Sequence, residues 1–287
     1  MELRHVEYFL AAVDHDGLGS AAAALGVSKP SLSSGLRSLE KDLGADLFHR
    51  VGRGMVLSAA GKAFVGPARQ IVRDTVAAES AYVAPDGLPR GRLDICASAY
   101  VAEGPVAGVI GRFRKRYPSV SVRLAGVRPA DPVGALIRDG HCEIVFSHLP
   151  VAAPGLTVRS VGQHEYWVAF PPGTDVPDDD PFPLGLLPDI RVVGVPKEAS
   201  SRSVVERALQ AAGSHTVMST VLEQREAVGS FVVEGVGMSF IERSLARRAG
   251  AAGAVVRRPD PPITLGYGVV YDPRRLSPAA AAFLDML

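Results

Sequence analysis

Apolar positions recur at helical intervals through the first eighty residues, then give way to alternating strand and helix rhythms, and that change divides the chain. Residues 3–15 put Leu3, Val6, Phe9, Leu10 and Val13 on one side of a helix. An alanine-rich run ending at Leu25 predicts a second helix, and Gly26-Val27 a tight turn. A third helix starts within Ser28 to Ser31, where hydroxyls cap free N–H groups and Pro30 suits the first turn. Its Leu32, Leu36, Leu39 and Leu43 form one buried stripe. The other face carries Lys29, Ser31, Ser33, Ser34 and Arg37, a low-bulk surface suited to a DNA major groove. The DNA contacts expected are therefore Ser28, Lys29, Pro30, Ser31, Ser33, Ser34 and Arg37, joined by Arg50 and Arg53. The last two belong to His49 to Leu57, where Gly52 and Gly54 predict a short hairpin with Arg53 at its tip.

From Ala59 to about Val83 the pattern is one long helix. Phe64, Ala68, Ile71, Thr75, Ala78 and Tyr82 are spaced four, three, four, three and four, a heptad seam. Such a seam pairs with a second copy of itself or packs on its own chain. Pro67 interrupts the hydrogen-bond ladder and predicts a kink or a shifted start. Pro85 to Gly91 is a turn-rich hinge.

The remainder alternates strand and helix. Leu93 to Ala97, a helix from about Glu103, Val120 to Leu124, a helix at Val133 to Arg138 and Glu143 to Ser147 make βαβαβ. Glu165 to Phe170 leads to a second unit: Arg191 to Val195, a helix over Ser201 to Ala212, Thr216 to Val221, a helix near Glu223 to Glu234 and Met238 to Ile241. Thr264 to Tyr271 then returns, so the C-terminal helix completes the first subdomain and two crossovers form a hinge. Ligands of open α/β units sit beyond strand carboxyl ends, against helix N-termini. Three such edges are Ser98-Ala99-Tyr100, Ser147-His148 and Ser200-Ser201-Arg202. Trp167, the sole tryptophan, falls on a hinge strand near them.

Composition narrows the function. The chain has 287 residues, 47% of them hydrophobic, enough for two or three globular domains. No apolar run approaches the roughly 20 residues that span a bilayer, and the start, Met-Glu-Leu-Arg-His, is not a secretory signal. The expected location is the cytoplasm, with no membrane partner. Cys96 and Cys142 lack metal spacing and read as two buried thiols, a redox switch being the sharper alternative. The histidines form no metal motif, and no nucleophile elbow or phosphate loop is present. No enzyme, metal or cofactor is expected. Asp178-Asp179-Asp180 lies in a solvated connection from Pro171 to Asp189, not a metal site. Net charge helps a DNA reading less than a basic domain would: residues 1–60 hold six Lys and Arg against seven Asp and Glu, although Lys29, Arg37, Arg50 and Arg53 share the recognition side. The acids are expected on the first helix and at the far end of the third, leaving modest affinity per domain and a need for dimerisation.

Three runs, MELRHVEYFLAAV, AAAALGVSKPSLSSGLRSLEKDLGADLFHR and GRGMVLSAAGKAF, together resemble the N-terminal winged helix-turn-helix of LysR-type transcriptional regulators. The resemblance covers about the first 65 residues, and the rest has the length and layout of that family's effector domain. It implies an α/β protein with a winged helix-turn-helix at 1–58, a dimerising linker helix and hinge at 59–91, and a periplasmic-binding-protein-like effector domain at 92–287. Subdomain I would span 92–164 and 269–287, and subdomain II 165–268. It also implies a regulator that grips an interrupted palindrome in double-stranded DNA as a dimer or pair of dimers. RNA polymerase is a further partner, and a small anionic effector changes the spacing or bend of bound DNA.

By the same resemblance the three loop edges line the effector cleft. Ser98, Ser200 and Ser201 would donate hydrogen bonds, Ala99, Tyr100, Ser147 and His148 border them, Lys197 or Arg202 would pair with a carboxylate, and Val127, Arg128 and Phe231 are wall candidates. Two features depart from the family pattern: Ser34-Gly35 stands where larger polar side chains are usual, and Tyr100 is larger than the small hydroxyl residue often found there. Gly35, with the sparse basic charge, supports an alternative in which a small-molecule-binding dimer no longer reads DNA.

Overall fold

The computed structural model describes the chain except residues 16, 52–53, 83–87, 128–130, 198 and 215–217, and except the side chains of Arg50, Ala77, Glu79, Ser80, Ala81, Tyr82 and Tyr100. Helices α1 (Leu3–Asp14), α2 (Leu18–Ala24) and α3 (Lys29–Leu43) precede the antiparallel strands β1 (Phe48–Val51) and β2 (Gly54–Leu57) and the long helix α4 (Ala59–Tyr82). Val6, Phe9, Leu32, Leu36, Leu39 and Leu47 fill their common core. Phe9 anchors it, with ring centroids 5.5 Å from Phe48 and 5.3 Å from Phe64. Leu3 and Leu43, expected inside, are exposed, because each lies at a helix end beyond its neighbour's reach.

The second part begins with β3 (Gly91–Ala97). Helix α5 (Ala99–Val101), a π-turn at Ala102–Val106 and α6 (Ala107–Arg116) follow as one continuous helix. Next come β4 (Val120–Gly126), α7 (Val133–Arg138), β5 (Ile144–His148) and the 14-residue β6 (Thr157–Phe170). Then follow β7 (Phe182–Pro183), β8 (Val192–Gly194), α8 (Ser200–Ala211), β9 (Met218–Val221), α9 (Val228–Val233), β10 (Ser239–Glu242), α10 (Arg243–Ala251), β11 (Val255–Arg257), β12 (Pro259–Asp260), β13 (Ile263–Tyr271) and α11 (Pro278–Leu284). The main sheet runs β10-β6-β13-β5-β3-β4, with β11 also on β6.

Strands β6 and β13 are antiparallel along nearly their whole length and belong to two cores at once. At one end Val269 joins Leu93, Ile95, Phe113, Phe146 and Phe283, and at the other Leu265 joins Tyr166, Phe170, Phe182 and Phe240. Their register slips between Tyr267 and Gly268. A Cβ at Gly162 would fall 2.5 Å from the Tyr267 hydroxyl, and one at Gly268 2.4 Å from the Arg159 carbonyl, so glycine lets the two strands cross this closely. The alternation pattern caught only the second half of β6 and missed α10, whose helical stripe is short and arginine-rich.

Cys96 and Cys142, distant in sequence, share one apolar cluster, and their mutual hydrogen bond together with burial pushes the Cys142 thiol up. Asp178 and Asp180 of the acidic connection pair with Arg257 and Arg258.

Candidate functional site

Helix α3 is built to turn one face outward. Ser28 caps it, its Oγ accepting from the Ser31 N–H at 3.2 Å, and Gly44 in the left-handed conformation ends it. Lys29, Pro30, Ser31, Ser34 and Arg37 are exposed and Ser33 half-buried. Arg53 lies outside the described residues, as does the side chain of Arg50. Gly35 is on the inner side: a Cβ there would stand 2.6 Å from Tyr8 Cδ2 and 2.8 Å from His5 Cδ2. The glycine admits close packing of α1 on α3, so its helix cost is a packing requirement rather than a weakness of the reading face. His5 and Tyr8 are buried for the same reason, which the sequence pattern missed.

Several acids of this domain make contacts within it. Glu40 accepts from the Leu47 N–H at 2.9 Å and the Phe48 N–H at 3.4 Å, Asp14 pairs with Arg69 of α4, and Glu2 lies beside Arg4 and His5. On the exposed face of α3, Lys29 stands well away from those carboxylates, while Arg37 shares a surface recess with Asp46 and with Glu40, whose Oε1 is held by two backbone N–H groups.

The seam on α4 divides. Phe64 and Ala68 pack into the chain's own N-terminal core, Ala68 completely, which corrects their expected place between two copies. Heptad spacing specifies a buried stripe but not whose surface covers it. Farther along, Ile71 and Thr75 are half-buried and Ala78 is exposed, and the Tyr82 side chain is outside the description. The same helix docks on the second domain through Arg69 to His141 and Arg73 to the Gly140 carbonyl.

Two of the loop edges lie side by side, the Ser98 N–H donating to the Phe146 carbonyl at 3.1 Å. Ser98 sits directly before α5, yet its hydroxyl makes no capping bond and is buried without a partner among the described residues. His148, at the end of β5, is 4% exposed, and His164, on β6, 5%. Their ring centroids are 5.5 Å apart, and Tyr267 lies 4.6 Å from His164. Nε2 of each imidazole is likewise unpartnered among the described residues. Burial, with His164 and Arg225 nearby, lowers the His148 pKa to about 4. Glu242 faces His164, Nδ1 to Oε1 being 3.9 Å. Burial works to raise its carboxyl, but the His164 and Ser244 contacts prevail and hold it at about 2. Tyr166, beside Ser201, is pushed up to about 12 by burial. Each unmade buried hydrogen bond costs about 1–3 kcal/mol, a cost that a bound polar ligand removes.

Other expected cleft residues fare differently. Ser201 is buried at the start of α8, Ser200 and Lys197 are exposed, Ala99 is exposed, and Ser147 and Val127 are half-buried. Arg202, the expected carboxylate partner, is already engaged within its own subdomain. It donates to the Val195 carbonyl at 3.0 Å and to Glu206, and so ties α8 to β8 within one subdomain. Phe231 is exposed on α9. Arg128 and the Tyr100 side chain lie outside the described residues. Trp167 points to the face of β6 opposite His164 and Tyr166, under Arg247 at 5.7 Å and among residues of α9 and α10. His164, Arg225, Glu242 and Tyr267 were missed: His164 and Glu242 fall just outside strands read too short, Tyr267 lies within a strand that was read, and Arg225, in the turn before α9, carried no sequence signal.

Residues 3–62 match the family of bacterial regulatory helix-turn-helix proteins of the lysR family, and residues 86–287 match the LysR substrate binding domain. The chain belongs to the LysR family. Like its relatives it is a DNA-binding transcriptional regulator with an effector-binding domain, and the family is one of regulators rather than enzymes. It is 31% identical to the regulator ShiR of Corynebacterium glutamicum over 70% of this chain and 68% of that one. It is 26% identical to XapR of Escherichia coli over 100% and 97%. Two solved structures share this LysR architecture. A full-length OxyR variant from Pseudomonas aeruginosa has a TM-score of 0.74 at 18% identity, covering 100% of this chain and 94% of that one. Full-length CbnR complexed with its target DNA has a TM-score of 0.69 at 21% identity, covering 100% and 98%. No helix among the described residues of this LysR regulator is long and apolar enough to cross a membrane.

Proposed function

We propose that this regulator acts in the cytoplasm without a catalytic step, reading an interrupted palindrome near promoters as a dimer or pair of dimers. Its contacts come from Ser28, Lys29, Pro30, Ser31, Ser33, Ser34 and Arg37 of α3 and from Arg50 and Arg53 of the hairpin. Its working units are 1–58, 59–91 and 92–287, the last split into 92–164 with 269–287 and 165–268. The outer part of the linker seam, Ile71, Thr75, Ala78 and Tyr82, supplies the self-association. The cleft edged by Ser98, His148 and Ser201 takes a small anionic metabolite, and its occupancy alters the bend or spacing of bound DNA and access of RNA polymerase. The observation that carries the reading is the exposed face of α3, which keeps its cations while neighbouring carboxylates are spent on backbone N–H groups and on Arg69.

The experiment is genome-wide capture of DNA fragments by the purified full-length protein, beside a Lys29→Ala/Arg37→Ala variant. Enrichment of a palindromic site by the parent, lost in the variant at unchanged thermal stability, supports the reading. A parent protein that enriches no site at low salt favours the alternative, a small-molecule-binding dimer that does not read DNA.

A further inference from the structure

The hinge strands bring two imidazoles ring against ring at one end of the cleft, both more than nine-tenths buried, each with Nε2 unpartnered among the described residues. The Ser98 hydroxyl, one residue past β3, is also buried and unpartnered among the described residues. Their surroundings are already committed. Nδ1 of His164 faces the Glu242 carboxylate from β10. Arg225, in the turn before α9, acts on both His148 and Tyr166. Tyr267 covers His164 from β13. With the imidazoles uncharged, Glu242 and Arg225 balance.

A ligand filling this place must bond to both imidazole Nε2 atoms at once. A carboxylate has about four acceptor directions and no donor. It meets two obstacles: it brings a second negative charge close to Glu242, and with Nδ1–H turned to Glu242, Nε2 of His164 has only a lone pair to offer. One proton removes both, because an imidazolium donates from both nitrogens and restores the charge balance. Burial pushes the Tyr166 and Tyr267 phenols up, so they keep their protons throughout and cannot be the source of the linkage.

Building on the effector-cleft reading above, we propose that His148 and His164 are the specificity-determining residues of the cleft and receive a small carboxylate together with one proton. The anion enters as the carboxylate, the proton comes from solvent onto the imidazole pair, and both leave on release.

The test is calorimetric titration of the full-length protein with acetate, the minimal carboxylate, and with acetamide, its neutral counterpart. Each is run from about pH 6.5 to 8 in two buffers of different ionisation heat. Acetate is expected to bind with uptake of close to one proton and to weaken about tenfold per pH unit on raising pH, while acetamide binds more weakly and without proton uptake. In His164→Gln, which keeps a hydrogen-bonding group but cannot titrate, acetate binding loses most of its pH dependence. Acetate binding without proton uptake, acetamide binding as tightly as acetate, or no acetate binding at millimolar concentrations each overturns the proposal. The effector reading is judged separately, by metabolite-dependent change in the captured DNA complex. A neutral metabolite that changes that complex leaves the cleft standing and the carboxylate assignment fallen.

Discussion

Ser28 and Ser98 hold the same position in two regions of the molecule, each the residue just before a helix, and they do opposite things. Ser28 accepts a capping bond from the Ser31 N–H, while the Ser98 hydroxyl makes none and is buried without a partner among the described residues. The contrast extends outward. Around α3 the carboxylates of Glu40 and Asp14 are consumed by the domain's own structure, which leaves an outward face for an external surface. Around the cleft the polar atoms of Ser98, His148 and His164 turn inward and remain unused. A site that reads DNA spends its buried polar bonds before the partner arrives, whereas a site that senses a small molecule holds some back.

The largest effect that sharpens this comparison is on acid stability. The His148 pKa is lowered from 6.5 to about 4, so on acidification the unfolded chain takes up the proton first. The contribution of neutral His148 is complete above about pH 6.5 and is lost as pH falls toward 4, by about 3 kcal/mol. His141, also lowered by burial and Arg69, adds to the slope in the same window. Glu242, held near 2 against an ordinary 4.5, loses its contribution only below about pH 4.5. Urea unfolding at stepped pH should show His148→Gln with a flatter profile between 6.5 and 4; an unchanged profile places the sensitivity elsewhere.

Next in size is Gly35→Ala, which forces a Cβ into Tyr8 and His5. A loss of about 1–3 kcal/mol from overpacking is expected, against less than about 0.5 kcal/mol for Ser34→Ala on the exposed face. Equal losses in thermal melts would break the assignment of Gly35 to the α1–α3 contact. The serine pair itself gives the third effect. Ser28→Ala should cost about 1 kcal/mol as a lost cap, whereas Ser98→Ala, which removes an unsatisfied hydroxyl, should be neutral or slightly stabilising. Smallest in stability is Arg37→Ala, within about 0.5 kcal/mol of the parent. Its effect should fall on DNA, lowering the slope of log affinity against log salt by about one, measurable by fluorescence anisotropy.

Legibility followed the kind of interaction. The stripe Leu32, Leu36 and Leu39 was readable because a helix's period of 3.6 is local, and it is buried as the spacing requires. Phe64 and Ala68 had equally clear spacing, yet their partner turned out to be Phe9's core within the same chain. Arg202 looked like an anion partner by its place near a helix start, but Glu206 one turn on and the Val195 carbonyl claim it. His148 was legible as the end of a strand, but His164, sixteen positions on, was not, because the pairing of both strands with β13 sets their distance.

By itself the sequence determined the order of most elements, α10 excepted, the helix-turn-helix with its outward face, and the return of the chain that closes the first subdomain, because periodicity, caps and turn residues act over a few positions. Only the tertiary structure decided who covers the linker seam, why position 35 is glycine, and which polar atoms end buried and unbonded between the subdomains. Those outcomes depend on the distance between surfaces that meet after folding, and spacing along a chain carries no record of it.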